Sequence, residues 1–125
     1  MKGIIFNGIE LKTVDFTDSY KFLQDGVDGL FERIPITELD KRNIDLWCNE
    51  EGKFREDLKP TMVLMLKGTY KYDVLVGNIL FTKTDGEGET ISLTGDDIEF
   101  INKLFRTAPY AIDMESDALL PVLYY

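Results

Sequence analysis

The sequence has no histidine and a single cysteine, Cys48. The first absence removes serine–histidine and cysteine–histidine nucleophile pairs, the usual general base and the commonest zinc ligand. The second leaves no internal disulfide and no partner thiol for a redox or zinc motif, which fits a reducing compartment. Basic residues are also scarce, with 14 Lys and Arg against 23 Asp and Glu and a net charge of −9. Nucleic-acid phosphates are held mainly by lysine and arginine that displace counterions, so direct phosphate binding is not expected. No apolar run reaches the ~18 residues of a membrane-spanning helix. Met1 to Phe6 carries one lysine and a short apolar run, too little for a secretory signal. No G-x-x-x-x-G-K-[ST] or G-x-G-x-x-G motif follows a strand, which removes the common phosphate-binding loops.

What is present describes a folded chain. With 125 residues, 44% apolar and 12% aromatic, it fits one domain with a core that needs no disulfide or metal. The expected class is α+β: a mainly antiparallel sheet with two or three short helices. Lys2 to Phe6 and Ile9 to Val14 read as a hairpin around Asn7-Gly8, a pair suited to a type I′ turn. Thr17 is placed to cap a short helix through Gln24, with Tyr20, Leu23 and Phe16 inward, and Asp25-Gly26 and Asp28-Gly29 punctuate its end. Leu30 to Ile36 reads as a strand whose end Pro35 confines to a sheet edge or a strand terminus, Thr37 to Asn43 as a loop, and Ile44 to Cys48 as a strand. Thr61 to Leu66 is apolar throughout, so periodicity leaves helix and strand open. Tyr72 to Thr84 and Glu89 to Leu93 read as two strands around Asp85-Gly86-Glu87-Gly88. Thr94 with Asp97 forms a weak capping-box variant opening a helix whose Ile98, Ile101, Leu104 and Phe105 make one apolar stripe. Residues 107 to 125 form a C-terminal extension to a 1–106 body. Its apolar end, Leu119 to Tyr125, is expected to dock on the body or across a homodimer interface.

Three stretches invite a chemical reading. Cys48 lies in an apolar strand beside Trp47, where a free cysteine is a small packing residue. Asp85, Glu87 and Glu89 alternate in a glycine-rich loop, but an EF-hand starting at Asp85 needs glycine sixth and glutamate twelfth. Thr90 and Asp96 stand there, so no metal site is expected. Carboxylates are plentiful enough for acid–base pairs, but abundance does not make two of them converge. Asn49-Glu50-Glu51-Gly52-Lys53 is the most site-like run. Its turn chemistry is nonetheless complete: an asparagine that bonds to the backbone two residues on, and a glycine available for a left-handed conformation.

The same run carries a resemblance. A short helix ending at Gly29 enters a strand; a strand enters Asn49-Glu50-Glu51-Gly52-Lys53; a strand is centred on Gly77; and Leu93 to Ile98 closes a hairpin into a helix. Over roughly residues 1 to 105 this order resembles the domain-of-unknown-function family 3846, frequent in phage, plasmid and conjugative-element genomes. The chain departs from that pattern at Leu58-Lys59-Pro60-Thr61-Met62-Val63, where the family tends to carry a polar Asn-Arg-Arg/Lys stretch, and after Arg106. The resemblance implies no activity, cofactor or catalytic residue. It implies a mobile-element accessory protein working in a bacterial cytoplasm.

Charge supplies the remaining lead. From Thr84 to Tyr125 nine acids face two bases, a net of −7 of the total −9. The expected function is therefore that of a bacteriophage or mobile-element accessory protein, not an enzyme and without a cofactor. It would bind a host protein with a basic surface through Asp85, Glu87, Glu89, Asp96 and Glu99, extended by Asp113 to Asp117, with inhibition of a host defence protein as one form of that role. The alternative is a protein that sequesters a nucleotide-like ligand between sheet and tail. Tyr70, Tyr72, Tyr110, Tyr124 and Tyr125 would then stack on a base and Arg106 would meet a phosphate.

Overall fold

A computed structural model describes all residues, Met1–Tyr125, which form two sheets and three helices in an α+β arrangement. The first sheet has the order β2-β1-β7-β4-β3, made by Leu11–Asp15, Lys2–Phe6, Ile79–Thr84, Ile44–Asn49 and Phe31–Ile34, and the short β8, Thr90–Ile91, pairs with β7. All its pairings are antiparallel. The second sheet has the order β6-β5-β10-β9, from Tyr72–Val76, Pro60–Met65, Leu119–Tyr124 and Tyr110–Ile112. Here β10 runs parallel to β5, with Val122 opposite Val63.

The alternation of β4 shows how the layers are chosen. Ile44, Leu46 and Cys48 point into the main core, while Trp47 lies on the other face and donates its indole N–H to the Thr82 hydroxyl at 2.9 Å. The main core joins that face of the first sheet to Met62, Leu64, Leu75 and Leu123 of the second, and to Ile101 and Phe105 of α3 (Gly95–Thr107). Phe105 packs 4.7 Å from Phe6 and 6.0 Å from Phe81, ring centre to ring centre. The opposite face is covered by α1 (Ser19–Val27) through Leu23 and Val27 on Leu80. Leu80 and Phe81 are thus both fully buried, one on each face of the central strand.

Several local expectations are corrected. The first hairpin turns over four residues rather than two, because Phe6 pairs with Leu11. Asn7 there accepts the N–H groups of Ile9 and Glu10 at 2.9 Å, an Asx-type loop in place of a type I′ turn. Asp18 caps α1 in place of Thr17, accepting from Lys21 N at 3.1 Å. The helix runs through Gly26 to Val27, and Tyr20 stays exposed. Gly26 belongs inside the helix because a Cβ there would lie 2.3 Å from Leu80 Cδ2, so only glycine lets α1 approach the sheet this closely. Within the expected loop, Thr37–Asp40 forms a helical turn, α2, which brings Leu39 to full burial.

The apolar run Thr61 to Leu66 resolves as β5, buried on both faces at Thr61, Met62, Val63 and Leu64, which is why it lacks a strand period. The run Tyr72 to Thr84 is two strands. At Gly77, with φ of +76°, the chain leaves the second sheet for the first, and Thr61 donates to the Gly77 carbonyl at 2.7 Å. Residues 107 to 125 contribute β9 and β10 to the second sheet, and Leu120, Val122 and Leu123 are buried.

Candidate functional site

The acidic candidates gather at the end of β7. The hairpin loop from Asp85 to Glu89 joins β7 to β8, and Asp85 N–H donates to the Glu89 carbonyl at 2.8 Å. Asp85 Oδ1 accepts the amides of Glu87 and Glu89 at 2.8 and 2.9 Å, so this carboxylate shapes the loop. The first turn of α3 lies against the root of the same loop, because Lys83 of β7 reaches Asp97 of α3 at 2.9 Å.

Asp97 itself is a structural acid. It is buried, accepts Thr94 N–H at 2.8 Å, and its own N–H donates to the Thr94 hydroxyl at 3.1 Å, a complete capping box. Burial pushes its carboxyl upward, but the Thr94 amide, the Lys83 ammonium and the Thr94 hydroxyl outweigh burial and hold it below the usual carboxylate range. Lys83 is therefore occupied, and the cation nearest the loop root does not cancel the outer acids.

The five sequence candidates divide by what they touch. Asp85 is half-buried and bonded into its loop. Glu99 is exposed and paired with Arg106 two turns along α3 at 2.8 Å. Glu87, Glu89 and Asp96 are exposed, and no side-chain hydrogen bond or ion pair occupies their carboxylates. Asp113, Glu115 and Asp117 lie elsewhere, in the turn between β9 and β10, which the chain reaches only after the full length of α3.

The ligand-binding alternatives do not share one cavity. Tyr124 lines a pocket of about 390 Å³ beside the end of α3, while Arg106 and Tyr110 line a shallower one of about 360 Å³ with Ile9, Leu11 and Phe105. Tyr70 projects from the β5–β6 connection and Tyr72 from the start of β6, 96% and 66% exposed, and the Tyr125 backbone bonds to Met65. The residues of the 390 Å³ pocket come from β10, the start of α2, the end of α3 and the turn at Lys67-Gly68, so no local sequence motif could have announced it.

The Asn49 to Lys53 run is a turn, though of another kind than a hairpin: β4 pairs with β3 and β7, and the run carries the chain across to the second sheet. Asn49 Oδ1 accepts Glu51 N–H at 2.8 Å, the bond expected two residues on. Its amide also donates to the carbonyls of Val27 at 2.9 Å and Asp28 at 3.2 Å, which ties the end of α1 to the turn. Gly52 lacks the left-handed conformation expected of it; a Cβ there would strike Val76 Cγ2 at 2.5 Å, so its role is close packing. Lys53 pairs with Asp73 of β6. Arg55 beside it binds Asp28 and Asp57, and the Asp57 carboxyl is held below its ordinary range by that guanidinium. Cys48, just before the turn, is buried, and burial followed by Glu32 and Asp73 raises its thiol to about 12, so it stays protonated at neutral pH.

No group of three or more Cys, Asp or Glu side chains is placed to hold a metal ion, and no helix is long and apolar enough to cross a membrane. The features that remain define an acidic α+β domain whose motif residues hold two sheets together. The chain belongs to the family described as Domain of unknown function (DUF3846), whose model matches residues 1–106. No curated protein and no solved structure matches the chain.

Proposed function

We propose that this is a bacteriophage or mobile-element accessory protein that works in the bacterial cytoplasm by binding a basic surface on a host protein. The acidic end formed by the Asp85–Glu89 loop and the first turn of α3 is its contact, and occlusion of a host defence protein is the form of the role that suits a small binding domain. The observation that carries this reading is that Glu87, Glu89 and Asp96 stand exposed and unpaired at one end, beside a lysine already neutralised by Asp97. Exposed carboxylates act over about 8–10 Å at physiological salt, so they would chiefly speed association.

The test uses the wild-type protein and a variant with Asp85, Glu87, Glu89, Asp96 and Glu99 changed to their amides as baits in lysate from phage-infected cells, followed by kinetics on the captured protein. The expected outcome is a partner captured by the wild type whose association with the variant is slower and largely insensitive to salt. Equal association rates for both proteins at low and high salt would leave the acidic end a solubility surface.

A further inference from the structure

We propose that the 390 Å³ pocket beside the C-terminal end of α3 binds a small amphiphilic carboxylic acid, an aliphatic or aromatic body ending in one carboxylate. This site is separate from the acidic end and does not depend on it. Its volume falls in the range of about 300–1,000 Å³ typical of small-molecule sites. Its apolar wall is made by Ile36, Leu104, Ala108, Pro109, Val122 and Leu123. Ile36, Val122 and Leu123 are buried beneath it, while Leu104 and Ala108 remain half-open to it. An apolar ligand body would therefore remove real hydrocarbon surface from water.

The polar groups around this wall select the ligand's other end. Glu38 is paired with Lys41 at 3.2 Å, and the Thr107 hydroxyl donates to the Lys103 carbonyl at 2.8 Å. Lys67 forms no ion pair, although acids outnumber bases by 23 to 14 in this chain. Next to it, Gly68 N–H donates to no backbone acceptor, in a turn fixed by Lys67 N–H on the Tyr125 carbonyl at 3.0 Å and Thr69 N–H on the Leu66 carbonyl at 3.1 Å. A free ammonium and a free amide side by side on a braced turn suit one carboxylate. The opposite wall is the carbonyl end of α3, which carries partial negative charge, so the anionic group belongs at Lys67 and the hydrocarbon at Leu104 and Ala108. A nucleotide fits poorly here. The wall offers one cation for several phosphate charges, and Tyr124 is the only aromatic side chain on it.

The test is titration of the ¹⁵N-labelled full chain with octanoate and, separately, n-octylamine, followed through amide shifts, in the wild type, Lys67→Ala and Ala108→Phe. On a protein of net charge −9, non-specific attraction favours the amine, so a preference for the acid must come from the pocket. The expected result is saturable octanoate binding that shifts Lys67, Gly68 and Ala108. Removing the exposed lysine should weaken it about fivefold, the effect of one solvent-accessible charge pair. Ala108→Phe should abolish it by filling the cavity, with circular dichroism confirming that each variant folds. Three results would each overturn the proposal: no saturable octanoate binding at millimolar concentration, octylamine binding as tightly at the same amides, or octanoate binding unchanged in Lys67→Ala. Because Lys67 is exposed, that last comparison holds even if Ala108→Phe fails to fold.

Discussion

Two loops in this chain look alike on paper: Asn49-Glu50-Glu51-Gly52-Lys53 and Asp85-Gly86-Glu87-Gly88-Glu89. Both are short, acidic and glycine-bearing, and both open with a residue whose side chain folds back on the backbone. Their surroundings differ completely. The first is bolted in place: Asn49 is 6% exposed and joins β4 to α1, Gly52 touches Val76, and Lys53 holds Asp73. The second is free, since a Cβ added at Gly86 or Gly88 would meet nothing within 4 Å. Two runs of similar composition can therefore differ in kind, one a joint in the scaffold and the other an exposed loop.

That contrast is open to four tests, in order of expected effect. The largest should come from Asn49→Ala, which strips the partners from the Glu51 N–H and the Val27 carbonyl at a buried position. A loss of about 2–3 kcal/mol in urea unfolding is expected, with the stability of the second loop's variants as the reference. Next, Gly52→Ala should cost about 1–3 kcal/mol because its methyl must displace Val76, whereas Gly86→Ala, in open space, should be neutral within about 0.5 kcal/mol. Equal effects at the two glycines would dissolve the distinction.

The third test concerns Asp97, where the loop root meets α3. Asp97→Asn keeps an oxygen for the Thr94 N–H but leaves the largely buried Lys83 ammonium without its carboxylate, and should cost about 1–2 kcal/mol at neutral pH. Its carboxyl titrates lower in the folded protein than in the unfolded chain, so its contribution is complete above the unfolded value near ~3.9 and fades as pH falls through the depressed folded one. The gap between wild type and variant should accordingly narrow in unfolding curves below about pH 4. The smallest effect is expected for Glu87→Gln with Glu89→Gln, where melting curves should superimpose within about 0.5 kcal/mol while association with a basic partner slows.

Local rules in the sequence carried the elements whose cause is local. The capping box at Thr94 and Asp97, the apolar stripe of α3, the edge position of β3 before Pro35 and the strand at Ile44 are all decided within a few residues. What escaped was decided across the fold. Gly26 reads as a helix breaker until Leu80 is known to lie against it, and Gly52 reads as a left-handed turn residue until Val76 does. Nothing in Tyr72 to Thr84 shows that Gly77 moves the chain between sheets, since the strand composition is the same on both sides. The acids of the candidate site were legible as a count. That Glu99 is paired, Asp85 is built into its loop and three others stand free required the geometry.

The place of β10 has a consequence for how the chain is made. β5 ends at Met65 and its inner neighbour, β10, ends at Tyr124, so one whole edge of β5 waits about 60 residues for its partner. At typical rates of synthesis that is about 3–12 s. For that interval an apolar strand of the nascent chain carries unpaired N–H and C=O groups on one side, a template for pairing with a neighbouring chain. The parallel register of Val122 with Val63 also means this gap cannot be closed by a tight hairpin. Ribosomes spaced closely on one message would hold several such strands near one another, so yield of the folded protein should fall as translation is crowded or slowed between residues 65 and 119.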